Sequence, residues 1–138
     1  MPDVQFLSQA GAYQLALRQQ TALINSVMHL FNFGFVPNPG TTLAQLLAQE
    51  CTFAGYAPKT IAAWPEIVSA AGTNFLLFAP TQTWIWTAGG GDPTGTVGGH
   101  FIVSAAGDLG DVVTYDAPIP MQGPFQSVIK TPSQLIRN

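Results

Sequence analysis

The chain has 138 residues, 47% of them hydrophobic and only 8% charged, with a net charge of −3. One domain of this length buries a sizeable core, and its four scattered basic residues, Arg18, Lys59, Lys130 and Arg137, make no patch that follows a phosphate backbone, so nucleic acid is not an expected partner. A single cysteine, Cys51, excludes an intramolecular disulfide and a cysteine metal cluster, and no apolar run approaches the ~20 residues of a spanning helix, so no membrane partner is expected.

Soluble domains carry about 25% charged residues. A chain with so few must show solvent a skin of Gln, Thr, Ser, Asn, Gly and apolar atoms, which suits a component packed against neighbours better than a free monomer. The N-terminus lacks a basic stretch followed by an apolar one, so it does not read as a signal peptide. The expectation is synthesis in the cytoplasm and solubility until assembly.

Residues 1–7 are extended by default. Ser8 is a fitting N-cap for a helix over 8–23, with Tyr13, Ala16, Leu17 and Ile24 along one face. Residues 25–35 change period: Val27, His29, Phe31, Phe33 and Phe35 alternate with their neighbours, as in a strand. Two prolines and a glycine at 37–40 end it. Thr42 and Gln45 have capping-box spacing ahead of Leu43, Leu46 and Leu47, which predicts a short helix over 43–49. Short strands are expected at 51–54 and 59–63, a turn at 64–66, and a segment at 67–71 that is ambiguous between helical turn and strand.

The stretch 74–88 organises the rest. It reads as two strands, 75–78 and 83–88, hinged at Ala79-Pro80-Thr81, because proline cannot donate to a ladder. Phe75, Leu77, Ala79, Thr83, Ile85 and Thr87 can share one side; Leu76, Phe78, Trp84 and Trp86 fall on the other. Both sides carry bulk, so the second needs cover, from the N-terminal segment or from another chain. A glycine-rich connector follows at 89–95, then a strand at 98–106, a turn at 107–111, its antiparallel partner at 112–117, a proline-punctuated stretch at 118–124, a final strand at 125–130 and a frayed tail at 131–138. Seven or eight short strands bounded by turn signals predict a mainly β fold: an antiparallel β-sandwich, jelly-roll or Greek-key-like, with an N-terminal helix or arm (1–24) ahead of a sandwich unit (25–138) and one short inserted helix. A small closed barrel is the alternative.

Chemistry-bearing residues are sparse. His100 with Ser104 or an Asp is a candidate base and nucleophile, but no Gly-x-Ser-x-Gly elbow is present. His29 has no second ligand at metal spacing. Asp92, Asp108, Asp111 and Asp116 offer oxygens for Ca²⁺, although Gly107-Asp108-Leu109-Gly110-Asp111 has the composition of a hairpin turn. Gly89–Gly91 lacks the Lys-Ser/Thr of a phosphate loop. Glu50 and Glu66 are the only glutamates, and nothing pairs them as a glycosidase dyad. Trp84 and Trp86 lie two residues apart on one strand face; they can stack on a sugar, anchor a protein interface or fill the core. No enzyme activity, cofactor or metal is expected.

Several segments resemble a family of small tailed-bacteriophage virion proteins of the head decoration (cement) type. They are Met28-His29-Leu30-Phe31-Asn32-Phe33, Val36-Pro37-Asn38-Pro39, Cys51-Thr52-Phe53-Ala54-Gly55-Tyr56-Ala57-Pro58-Lys59-Thr60-Ile61 and Trp64, then Gly98–Leu109 and Asp116-Ala117-Pro118-Ile119-Pro120-Met121. In that family an acidic residue precedes Phe-x-Gly-Tyr-Ala, as Glu50 does here. The resemblance spans about residues 8–130. It implies a structural virion protein on the outer capsid surface, with the major capsid protein and further copies of itself, as dimer or trimer, for partners. Tail, head–tail and fibre-associated roles are alternatives, as is a lectin-like sandwich using Trp84 and Trp86.

Overall fold

A computed structural model describes residues 8–87 and 89–136. The expected extended segment 1–7 and the last two residues lie outside these. The helices are α1 (Gln9–Ala22) and α2 (Leu43–Ala48), and the strands are β1 (Ser26–Asn32), β2 (Lys59–Ile61), β3 (Glu66–Ala71), β4 (Asn74–Phe78), β5 (Gln82–Ile85), β6 (Gly95–Val103), β7 (Leu109–Met121), β8 (Ser127–Lys130) and β9 (Ser133–Ile136). All pairing is antiparallel, in a four-stranded sheet β2-β1-β6-β7, a three-stranded sheet β3-β4-β9 and a two-stranded ribbon β5-β8.

The fold is a β-sandwich-like arrangement. Met28 and Leu30 of β1, Ile61 of β2, Val97 and Ile102 of β6 and Met121 of β7 form one core with Leu77 of β4, Trp84 of β5, Val128 of β8 and Trp64. The other side of the four-stranded sheet is closed by α2, whose Leu46 packs on Phe31 and Phe101. Thr42 and Gln45 make the expected reciprocal capping box. Ser8 caps α1 by accepting from Gly11 N at 3.0 Å. That helix packs differently from the expectation: Ala12 and Ala16 are the buried residues and meet Phe75, whereas Tyr13 and Ile24 are 42% and 47% exposed. Small residues let α1 approach β4 closely, and Tyr13 reaches Phe75 from the side, ring centroids 5.8 Å apart.

The organising stretch corrects the face assignment. Phe75 and Leu77 are buried as one side of β4, as is Ala79 just after it, but in β5 and just beyond it Trp84 and Trp86 are buried while Thr83, Ile85 and Thr87 are exposed. The pairing explains the switch. Residues 74–85 and 127–136 form one bent ribbon, in which Phe78 faces Ser133 and Gln82 faces Lys130. Ala79, Pro80 and Thr81 are therefore opposed only by Thr131 and Pro132. The extra residue behaves as a bulge and reverses which side chains point inward on its own strand alone. Val128 and Gln134, across from it, keep one parity and are both buried. Ala79 N donates to Pro132 O, and the Thr81 and Thr131 hydroxyls share a hydrogen bond of 2.6 Å, which fixes the bend.

Other boundaries move for identifiable reasons. Residues 51–54 are not a strand: Phe31 makes an isolated bridge with Glu50, Cys51 N donates to Leu30 O, and the chain then turns. The ambiguous 67–71 is an edge strand, β3. β7 runs on through Pro118 and Pro120, which an edge tolerates because a missing N–H can face outward. The tail expected to fray contributes β9, held between β4 and the start of β7: Asp111 N donates to Gln134 Oε1 at 3.1 Å, and Leu135 N donates to Asp111 Oδ2 at 2.9 Å.

Candidate functional site

Two polar clusters and one exposed end carry what the fold offers for function. The first cluster lies where β2 stops short along β1. Beyond the Met28–Lys59 pair, the free edge of β1 is taken up by residues 49–56. Tyr56 donates its hydroxyl proton to Glu50 Oε2 at 2.5 Å and accepts from Leu30 N at 3.1 Å. The same carboxylate oxygen lies 2.5 Å from His29 Nδ1, and the His29 ring stacks on Phe101 at 4.8 Å, 5° from parallel. Gly55 makes the turn that presents Tyr56, at φ 89°, and a Cβ there would meet Ile85 O and the Thr87 side chain. Burial, and then the hydrogen bond to Glu50, raise the Tyr56 phenol above its ordinary range, so it stays a proton donor. Cys51 beside it is pushed up to about 12, first by burial and then by the Glu50 charge. A thiol so protonated is no nucleophile. This cluster therefore fastens a loop to a strand edge.

The second cluster is His100 of β6 with Tyr115 of β7. His100 is 4% exposed, its Nδ1 lies 2.7 Å from the Tyr115 hydroxyl, and Lys130 Nζ sits 4.1 Å over the Tyr115 ring. Burial first, then the Lys130 charge, lower the imidazole from 6.5 to about 4. The ring is neutral at pH 7. It lines a cleft of about 290 Å³ with Tyr115, Lys130 and Ser133. Ser104 lines a different hollow, with Asp108 and the end of α1, and its hydroxyl accepts from Asp108 N. The structure does not bring His100 and Ser104 together.

The remaining sequence candidates are also dispersed. Asp92 accepts from Gly89 N and closes its own turn, while Asp111 holds β9. Among the described residues no three of His, Cys, Asp and Glu converge as metal ligands. Glu66 is exposed on β3, away from Glu50 beside β1. Trp84 and Trp86 are 1% and 5% exposed, and each indole N–H donates to a backbone carbonyl, Ala57 O at 2.8 Å and Pro93 O at 3.1 Å. They fill the core, so the sugar-stacking reading loses both of its residues.

The surface the sequence did not single out lies at one end of the sandwich. β1 ends there beside the start of β6, with Phe33 N donating to Thr96 O. Gly95 pairs with Met121, and the turn after β7 carries Phe125. Trp86 N donates to Gln126 O, which brings Ile85 to the same end. Phe33, Ile85 and Phe125 are 63%, 53% and 99% exposed. Phe125 is held at φ 70°, a conformation unfavourable for a bulky side chain. Asp92 is the only Asp, Glu, Lys or Arg between Glu66 and Asp108, so the strands and connector that reach this end bring almost no charge. No signal in a single sequence marks a phenylalanine between Pro124 and Gln126 as outward-facing.

Compared with protein-family models, curated proteins and solved structures, the chain matches none.

Proposed function

We propose that this chain is a structural virion protein, a decoration (cement) protein that binds the outer surface of a tailed-phage head and stabilises it. The observation that carries the reading is Phe125, a fully exposed aromatic ring on a constrained turn, set in an apolar end of a protein with few charges. Aromatic anchors of this kind supply most of the energy of protein–protein contacts. A fully exposed aromatic ring on an unfavourable backbone gains from burial against a partner. The link between Glu50 and Tyr56 gives a physical role to the acidic residue and the Phe-x-Gly-Tyr-Ala element on which the virion resemblance rests. The phage setting itself comes from that resemblance.

A protein that binds assembled capsid, and not its dissociated subunits, stabilises the particle by mass action. Repeated over many subunits, modest contacts suffice, and a multivalent arrangement strengthens them further. The partner is the major capsid protein, and the protein requires only a rigid scaffold and a contact surface. Cryo-electron microscopy of the intact particle tests this. Density for the chain repeated over the outer head surface is the expected result; density confined to the tail, or absence of the chain from the particle, overturns it.

A further inference from the structure

We infer that β3 is a pairing edge, to which a second copy of this chain adds its own β3 in antiparallel fashion about a twofold axis. Exposed strand edges present unpaired N–H and C=O groups to solvent, and natural proteins blunt them with charge, proline, short length or cover. The other edges here are treated in these ways. β2 has three residues, begins at Lys59 and follows Pro58. β7 carries Asp111, Asp116, Pro118 and Pro120. Leu135 N on β9 is capped by Asp111. β5 and β8 have four residues each; Pro80 lies just ahead of the first and Lys130 ends the second.

β3 has such devices only at its two ends: Pro65 precedes it, and its register with β4 shifts between Ser69 and Ala71, which leaves Ile67, Val68 and Ser69 as a regular open edge. Glu66-Ile67-Val68-Ser69-Ala70-Ala71 contains no proline and no basic residue, its one charge is at its first position, and every residue except Ile67 is exposed. Its partner on one side is β4, and among the described residues no strand lies on the other. The groups that point away from β4 call for an extended backbone.

The side chains indicate why that backbone is a second β3. Val68 faces Leu76, and Leu76 faces Leu135, so one apolar row crosses the outer side of this sheet and stops at Val68, which is 43% exposed. Twofold pairing centred on Val68 sets Val68 against its own copy and joins the two rows across a six-stranded sheet. The same register sets Glu66 against Ala70 of the partner copy, so the two carboxylates lie at opposite ends of the pair and do not meet. Self-complementary contact of this kind is the usual form of a twofold interface.

This deepens the assembly reading above, resting on it for its biological setting, by naming the self-contact. Sedimentation equilibrium of the unsubstituted protein should give twice the 14.6 kDa chain mass. The folded double variant Val68→Lys/Ala70→Lys should give the single mass, a twofold loss. Amide exchange over residues 66–71 in the unsubstituted protein should slow as concentration rises, which tests the edge even if the variant does not fold. A monomer at all concentrations, a dimer unchanged in the folded variant, or exchange over 66–71 that ignores concentration while a dimer forms, overturns the inference. A dimer broken by the lysines that nonetheless never binds capsid keeps the β3 contact and removes the decoration reading. A monomer that binds capsid does the reverse.

Discussion

Leu77 and Trp84 are seven residues apart on one ribbon, yet both point into the same core, at 0% and 1% exposure. In an uninterrupted strand an odd separation puts two side chains on opposite sides. The three residues 79–81, opposed by two, reconcile them. Deleting Thr81 restores equal numbers and turns Trp84 outward. Losing the burial of one large aromatic costs about 3–5 kcal/mol, a large part of a typical total of about 5–15 kcal/mol. The expected outcome is loss of the cooperative thermal transition, followed by circular dichroism, whereas Thr81→Val, which keeps the residue count, should cost only about 1 kcal/mol for its hydroxyl bond.

Tyr56→Phe should destabilise by about 1–3 kcal/mol, because it leaves Leu30 N without its acceptor and Glu50 without one donor in a half-buried site. Urea unfolding measures it. A change below a few tenths of a kcal/mol would mean that water replaces the hydroxyl at no cost.

His100 makes stability depend on pH. The unfolded ring takes up its proton near 6.5 and the folded ring only near about 4, so the unfolded state binds more protons between those values. Stability is therefore full above pH 6.5 and falls as pH drops toward 4, by on the order of 3 kcal/mol in all. The groups that face the ring are Tyr115 and Lys130. In His100→Gln this part of the profile should flatten relative to the unsubstituted protein, as read from urea midpoints between pH 4 and 7.

Phe125→Gly should leave the fold as stable or raise its stability by up to about 1 kcal/mol, since glycine adopts positive φ at little cost. The same substitution should weaken capsid binding at least tenfold in a co-sedimentation assay. Retained binding would move the contact elsewhere on the surface.

Much of this architecture was legible residue by residue. Ser8 starts α1, Thr42 and Gln45 cap α2, and the alternation through Val27, His29 and Phe31 marks β1, because each is a local signal. What the chain hides depends on partners distant in sequence. A period of two gives alternation but not its inward phase, so the reversal at Pro80 becomes visible only once Thr131 and Pro132 are opposite it. Ser133-Gln134-Leu135-Ile136 has weak strand character and is a strand because β4 pairs with it and Asp111 binds it. Cys51-Thr52-Phe53 has the composition of a strand but is turned aside by Gly55 and tied down through Tyr56. Of the candidate site, the polar residues were evident and their geometry was not: Trp84 and Trp86 needed the core to claim them, and Phe125 needed a turn to expose it.

The bent ribbon also sets a timetable for synthesis. β4 leaves the ribosome with β3 already beside it, but its other neighbour, β9, is translated after every other described element. Until then β4 lacks its second neighbour and the Trp84 strand lacks its only one, and a nascent chain holding both is a target for chaperones and for premature contact between neighbours on one message. Folding of this half is thus completed after the segment has cleared the exit tunnel, in a single late closure of 127–136 onto 74–85. A stalled or truncated product that lacks β9 will be cleared or will aggregate, and will not persist as a partly working protein.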